Sequence, residues 1–186
     1  KNPELADTAA TAESRFGENT TLYAIWQAEY AKISTADGEK EVVLGYAPSS
    51  GVRLIDESGR ALSPEEIAAY DKSFPVFKDL NKNGALDPYE DWRRPAEERA
   101  LNLSSIMAAV YDGVPQIAGL MLYSAHYAVN SPIPAEAQAK YLKEDHVRHI
   151  LVTRSASPEI NAKWNNNVQA FAEGTSFGIP ANNSSD

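Results

Sequence analysis

Residues 79–90, DLNKNGALDPYE, place oxygen-bearing side chains at the spacing a hard cation needs. The stretch fits D-x-[DN]-x-[DN]-G-x5-E, the calcium-loop pattern, at every fixed position. Asp79, Asn81 and Asn83 offer oxygens at loop positions 1, 3 and 5. Gly84, at position 6, allows the sharp bend because it has no Cβ to clash at positive φ. The Ala85 carbonyl stands at the fourth ligand position, Asp87 at position 9, directly or through water, and Glu90 at the bidentate closing carboxylate. With only three formal negative charges in the loop, calcium held here dissociates on the order of 10⁻⁴ M, as in extracellular modules. A metal-free turn is open to the same residues. Asp87, Pro88 and Glu90 read as a capping box with proline at the first helical position, and Asn-rich turns bond their own backbone. The incoming Phe74-Pro75-Val76-Phe77 reads as extended chain, not as the first helix of an EF-hand. Either way the stretch is structural, with no nucleophile and no open coordination position.

The other titratable candidates are few. The chain has three histidines, His126, His146 and His149, and no cysteine, which excludes disulfides and thiol chemistry without deciding the compartment. His146 and His149 flank an expected helix-to-strand turn, so they read as structural or surface groups and not as paired zinc ligands on one helix face. His126 follows an apolar run and reads as a loop histidine or the rim of a binding site. Arg154 closes a second apolar run, where it either orients a carboxylate at a site mouth or pairs on the surface.

The formal net charge of −9 over 186 residues, with no basic patch, excludes a nucleic-acid backbone as partner. No apolar run approaches the length of a membrane span. The opening Lys1-Asn2-Pro3 resembles a mature end left after signal removal, which suits a secreted or periplasmic protein.

The elements that must position these groups fall into four stretches. Residues 1–17, rich in Ala, Thr and Glu, form a flexible tail. Residues 18–75 form a β-hairpin-rich extension: Leu22, Ala24 and Trp26 alternate, and an Asp37-Gly38 turn joins two strands. A short strand at 52–55 and a helix capped by Ser63 with Pro64 at its first position follow. This extension reads as a packing or dimerisation appendage, leaving a homodimer open, or as the rim of a binding site. Residues 76–94 hold the calcium-type loop and a linker. Residues 95–186 alternate helix and strand: a helix at 95–110, a turn at 112–115, and a strand at 118–123 (AGLMLY) buried on both faces. A helix at 135–145, a strand at 149–153, a Ser157-capped helix to Gly174 and a third strand from Gly178 complete it. Asn165, Asn166 and Asn167 lie on that last helix, whose apolar face is already accounted for, and are expected to be solvated or bonded to a loop. Strands separated by helices imply parallel βαβ units with right-handed crossovers, whose function gathers at the strands' carboxyl ends.

From Phe77 onward the sequence resembles the N-terminal part of glycoside hydrolase family 3, the β-glucosidase type. FKDLNKNGALDPYEDWRRPAEERALNL, AGLMLYSAH, RHILVTR, WNNNVQAFAEGT and GIPANNSSD carry the resemblance. It implies an eight-stranded β/α barrel, so the chain is expected to be α/β: the first β/α units of an incomplete (β/α)8 TIM-type barrel, truncated at the third strand by the strand count and preceded by a small β-rich extension that the resemblance does not cover. It also implies an exo-acting β-glycosidase cleaving a β-linked oligosaccharide or glucoside. In the family, the strand after the GIP motif ends in an aspartate that holds hydroxyls of the first-subsite sugar, and Asp186 sits at that spacing. A carboxylate suits the task, since it accepts two charge-assisted hydrogen bonds from a vicinal diol. The family's nucleophile and acid/base lie further along, on the remainder of the glycosidase as a continuing or second chain, so no catalytic residue is assigned here. Trp26, Trp92 and Trp164 are of the type that stacks on sugar rings, but Trp92 and Trp164 sit where core packing is expected. The alternative from a different class is a non-catalytic, calcium-stabilised module that binds carbohydrate or protein.

Overall fold

The computed structural model describes residues 31–126, 136–153 and 156–185. The N-terminal tail, the alternation around Trp26, and both Arg154 and Asp186 lie outside the described residues.

Strands β1 (Ala31–Asp37) and β2 (Lys40–Tyr46) form the expected antiparallel hairpin, with Asp37 opposite Lys40 and Ala31 opposite Tyr46. Gly38 opens the two-residue loop at φ 59°, a conformation glycine adopts without strain. β3 (Arg53–Ile55) pairs antiparallel with β4 (Phe77–Asp79), which sets Arg53 opposite Asp79. Between them α1 (Pro64–Ala68) starts on a full capping box: Ser63 Oγ accepts the Glu66 N–H, and the Glu66 carboxylate accepts the Ser63 N–H at 2.8 Å. Ile33, Tyr46, Leu54, Leu62 and Val76 make the core of this extension. Buried Thr35 ties its layers together, accepting the Val76 N–H at 2.7 Å and bonding the Tyr70 hydroxyl at 2.8 Å.

The second half is a three-stranded parallel sheet in the order β5 (Tyr123–His126), β6 (His149–Val152), β7 (Asn182–Ser185). Helices α2 (Ala96–Ala109), α3 (Gly113–Gly119), α4 (Glu136–Lys143) and α5 (Pro158–Glu173) connect and flank the strands. Ser157 caps α5 through the Ile160 N–H, and Pro158 occupies its first turn. Its stripe buries Trp164 and Val168 against Tyr141, Leu142, Val147 and Ile150, with Ile160 and Phe171 packed at the edge. The fold is thus mixed α/β, and among the described residues the sheet does not close into a barrel.

The chain departs from expectation at three places. Residues 112–115 are not a turn but the entry to α3, and the expected strand at 118–123 begins only at Tyr123. A Cβ on Gly113 would lie 1.5 Å from the Met107 carbonyl oxygen, so glycine permits the tight reversal from α2 into α3. Pro115 then sits in the first turn of α3, where a missing N–H costs nothing. Met121, at 82% exposure, and Leu122 are open to solvent, so the apolar run is not covered on both faces. The third strand starts at Asn182, not Gly178, because Gln169 occupies both backbone groups of Ala181, at 3.0 and 2.7 Å. Asn167, finally, is buried on α5 and only Asn166 of the three asparagines is exposed.

Candidate functional site

The parallel register brings three strand ends to one edge of the sheet. His126 pairs with Val152, and Val152 with Ser185. His126 therefore closes β5 beside the last residues of β6 and β7. Arg154 follows β6 by two positions and Asp186 follows β7 by one in the sequence, and both lie outside the described residues. The opposite edge holds a cleft of about 760 Å³ lined by Gln116, Lys143, His146, Asn167, Phe171 and Thr175. It opens among the segments that enter β6 and β7, away from the carboxyl ends where chemistry gathers in such sheets. His146 stands there at φ 56° with a buried, unbonded Nδ1, while the His149 ring bonds Asn182 at 3.2 Å.

Beneath that edge a buried arginine, unremarked in the sequence, fixes how β6 and β7 enter the sheet. Arg148 donates to the carbonyls of Leu142 (2.7 Å), Val147 (3.0 Å) and Ile179 (2.9 Å) and to Thr175 Oγ1 (3.0 Å). Burial pushes its guanidinium down to about 10, with the Tyr141 charge opposing. The sequence signal for it was only its place ahead of a buried strand.

The loop at 79–90 is built as a closed ring of hydrogen bonds. Asp79, at 0% exposure, takes the Arg53 guanidinium at 2.6 Å and the Gly84 N–H at 3.2 Å, both on Oδ2. Its Oδ1 is buried with no hydrogen-bond partner. Asn81 Oδ1 accepts the Asn83 N–H and Asn83 Oδ1 the Ala85 N–H, while both side-chain amides donate to Asp87 Oδ2 at 2.7 Å. Glu90 closes the ring, taking the Leu80 and Asn81 N–H groups on Oε1 and the Asp87 N–H on Oε2. Burial pushes the Glu90 carboxyl up, against the pull of these backbone donors. The helix expected to start at Asp87 does not follow; residues 88–90 form a turn, and α2 starts at Ala96. Among the described residues no group of three or more His, Cys, Asp or Glu side chains is arranged to hold a metal; the loop's donors alternate carboxylates with amides.

The loop is also a buttress for the segment that enters β7. Lys82 Nζ donates to the Thr175 carbonyl at 2.9 Å, and the Tyr89 hydroxyl reaches the Phe177 carbonyl at 3.4 Å. Gly178, at φ 58°, packs so tightly on Leu80 that a Cβ there would lie 2.9 Å from Leu80 Cδ2. Trp92 stacks on Phe77 at 5.7 Å and donates to the Val76 carbonyl at 2.9 Å, and Trp164 is buried with its Nε1 on Gln138, so both are packing residues.

No protein-family model matches the chain. Against curated proteins, it is 38% identical over 118 residues, 60% of its length, to a periplasmic β-glucosidase/β-xylosidase of Dickeya chrysanthemi. The chain spans 17% of that relative's length. This similarity is consistent with the glycoside hydrolase family 3 resemblance carried by the loop, the RHILVTR strand and the GIP segment.

Proposed function

We propose that the chain supplies the first β/α units of a (β/α)8-barrel β-glycosidase that removes β-linked glucosyl or xylosyl groups from non-reducing ends, outside the cytoplasm. The observation that carries this reading is the 38% identity to a periplasmic enzyme named for both activities. The parallel order β5-β6-β7, matching chain order, is the arrangement expected at the start of a wound barrel. Among the described residues no helix is long and apolar enough to cross a membrane.

A retaining glycosidase needs two carboxyl groups about 5 Å apart, one as nucleophile and one as acid/base. Neither is assigned within these 186 residues; in this reading both lie on a downstream segment or a partner chain. This chain's part is recognition. Asp186 grips a vicinal diol of the first-subsite sugar, with Arg154, which follows β6, and His126, which ends β5, on the rim. The test is turnover of aryl β-glucoside and β-xyloside by the chain alone and joined to its downstream remainder. The chain alone is expected to be inactive and the joined protein active, with Asp186→Ala lowering kcat/KM by about 10²–10³-fold, the loss of two charge-assisted bonds. Turnover by the isolated chain, or none by the joined protein, refutes the assignment.

A further inference from the structure

The ring at 79–90 leaves one polar atom unexplained. Asp79 is fully buried, and its Oδ1 has no hydrogen-bond partner. A buried carboxylate oxygen left bare costs free energy unless a cation or donor meets it. The carboxylate is turned into the loop, where its other oxygen holds the Gly84 N–H and the Arg53 guanidinium. Asn81 and Asn83, from loop positions 3 and 5, each bring a side-chain amide to within 2.7 Å of Asp87 Oδ2 at position 9. Each asparagine oxygen spends one lone pair on a backbone N–H and keeps a second. Glu90 is held in place by three backbone donors, two on Oε1 and one on Oε2, so Oε2 retains a further lone pair.

We propose that this loop is a structural calcium site, with Asp79 Oδ1, Asn81, Asn83, the Ala85 carbonyl, Asp87 and Glu90 as its oxygen donors. An all-oxygen set of this size suits a hard divalent ion of flexible geometry, calcium before magnesium. Binding draws on the second lone pair of each asparagine oxygen, and the two amide bonds to Asp87 Oδ2 loosen to admit the ion. Arg53 is the competitor: its guanidinium already neutralises part of Asp79, so the site is weak and its affinity depends on Arg53. Because the bound loop holds Lys82, Tyr89 and Leu80 against residues 175–178, occupancy stiffens the entry to β7. The inference stands apart from the glycosidase reading, since its readout is stability and not turnover.

Thermal unfolding of the chain with calcium or magnesium chloride provides the test, together with terbium luminescence sensitised by Tyr89 and Trp92. Calcium at ten times its dissociation constant is expected to raise Tm by roughly 3–6 °C, magnesium far less. Asn83 is exposed, so Asn83→Ala should fold normally and lose most of the calcium shift and the terbium signal. Arg53→Ala should lower Tm without calcium and respond more strongly to calcium than the unaltered chain. An unchanged Tm in calcium with no terbium signal overturns the proposal, as does a shift that Asn83→Ala and Asp87→Asn both retain in full.

Discussion

Glu173, the last residue of α5, receives the Lys78 ammonium of β4 at 2.7 Å in a buried position that joins the two halves of the molecule. Its second oxygen takes the Ala47 N–H at 2.6 Å and Ser50 Oγ at 3.3 Å. One carboxylate thus holds the end of the hairpin, the middle of β4 and the end of α5. Removing it leaves the partly exposed Lys78 ammonium with only the Gly45 carbonyl, at 3.0 Å, and the buried Ala47 N–H without its acceptor, so Glu173→Ala should cost about 2–3 kcal/mol in urea unfolding. Glu173→Gln with Lys78→Met removes both charges and keeps an acceptor, and should recover much of that loss. A double variant no more stable than Glu173→Ala would show that the charge is not what joins the halves.

Arg148 makes a comparable joint within the sheet half, but to carbonyls. Its planar fork reaches four acceptors from three segments, which a lysine ammonium on a flexible stem does not reproduce. Arg148→Lys should therefore destabilise nearly as much as Arg148→Met, each by about 2–4 kcal/mol. Full stability in the lysine variant would mean that charge, not the fork, is what matters there.

The sequence was most legible where a local chemical rule and a packing pattern agreed. Ser63 with Pro64 and Ser157 with Pro158 each started the helix they were expected to start, and glycine marked the hairpin loop. It was least legible over 112–123, where an apolar run short enough to suit either period became a helix and then a strand. The reversal into α3 depends on the close fit of Gly113 against the Met107 carbonyl, which the apolar pattern does not encode. The three asparagines on α5 carried a readable warning. Successive helical residues turn by roughly 100°, so 165–167 could not share one solvated face. At the candidate site, the spacing of 79–90 gave the donor types in order. The Arg53 contact was invisible, because it arises from the β3–β4 pairing across 26 positions.

Met121 and Leu122 are exposed on the turn after α3, with Tyr111 and Val114 nearby on the same connection. Lysine at 121 and 122 should change the stability of the 186-residue chain by no more than about 0.5 kcal/mol, as for other open surface positions. If further β/α units cover this face in the proposed barrel, the same changes in the joined protein should cost several times more. Equal, small effects in both would leave the face uncovered and count against the barrel reading.

Gly178 and Gly38 separate two costs that glycine replacement usually mixes. Both sit in the left-handed region, at φ 58° and 59°. A Cβ at Gly38 meets nothing within 4 Å, whereas at Gly178 it meets Leu80 at 2.9 and 3.0 Å. Gly38→Ala should therefore cost only the backbone term, about 1–2 kcal/mol, and Gly178→Ala that term plus about 1–3 kcal/mol of overpacking. Leu80→Ala, introduced beside Gly178→Ala, should relieve the second term but not the first. Because Leu80 lies between Asp79 and Asn81, the relief also reports whether the loop presses on the entry to β7. Equal losses for the two glycine variants in urea unfolding would show that the loop and the strand entry yield to one another instead of supporting each other.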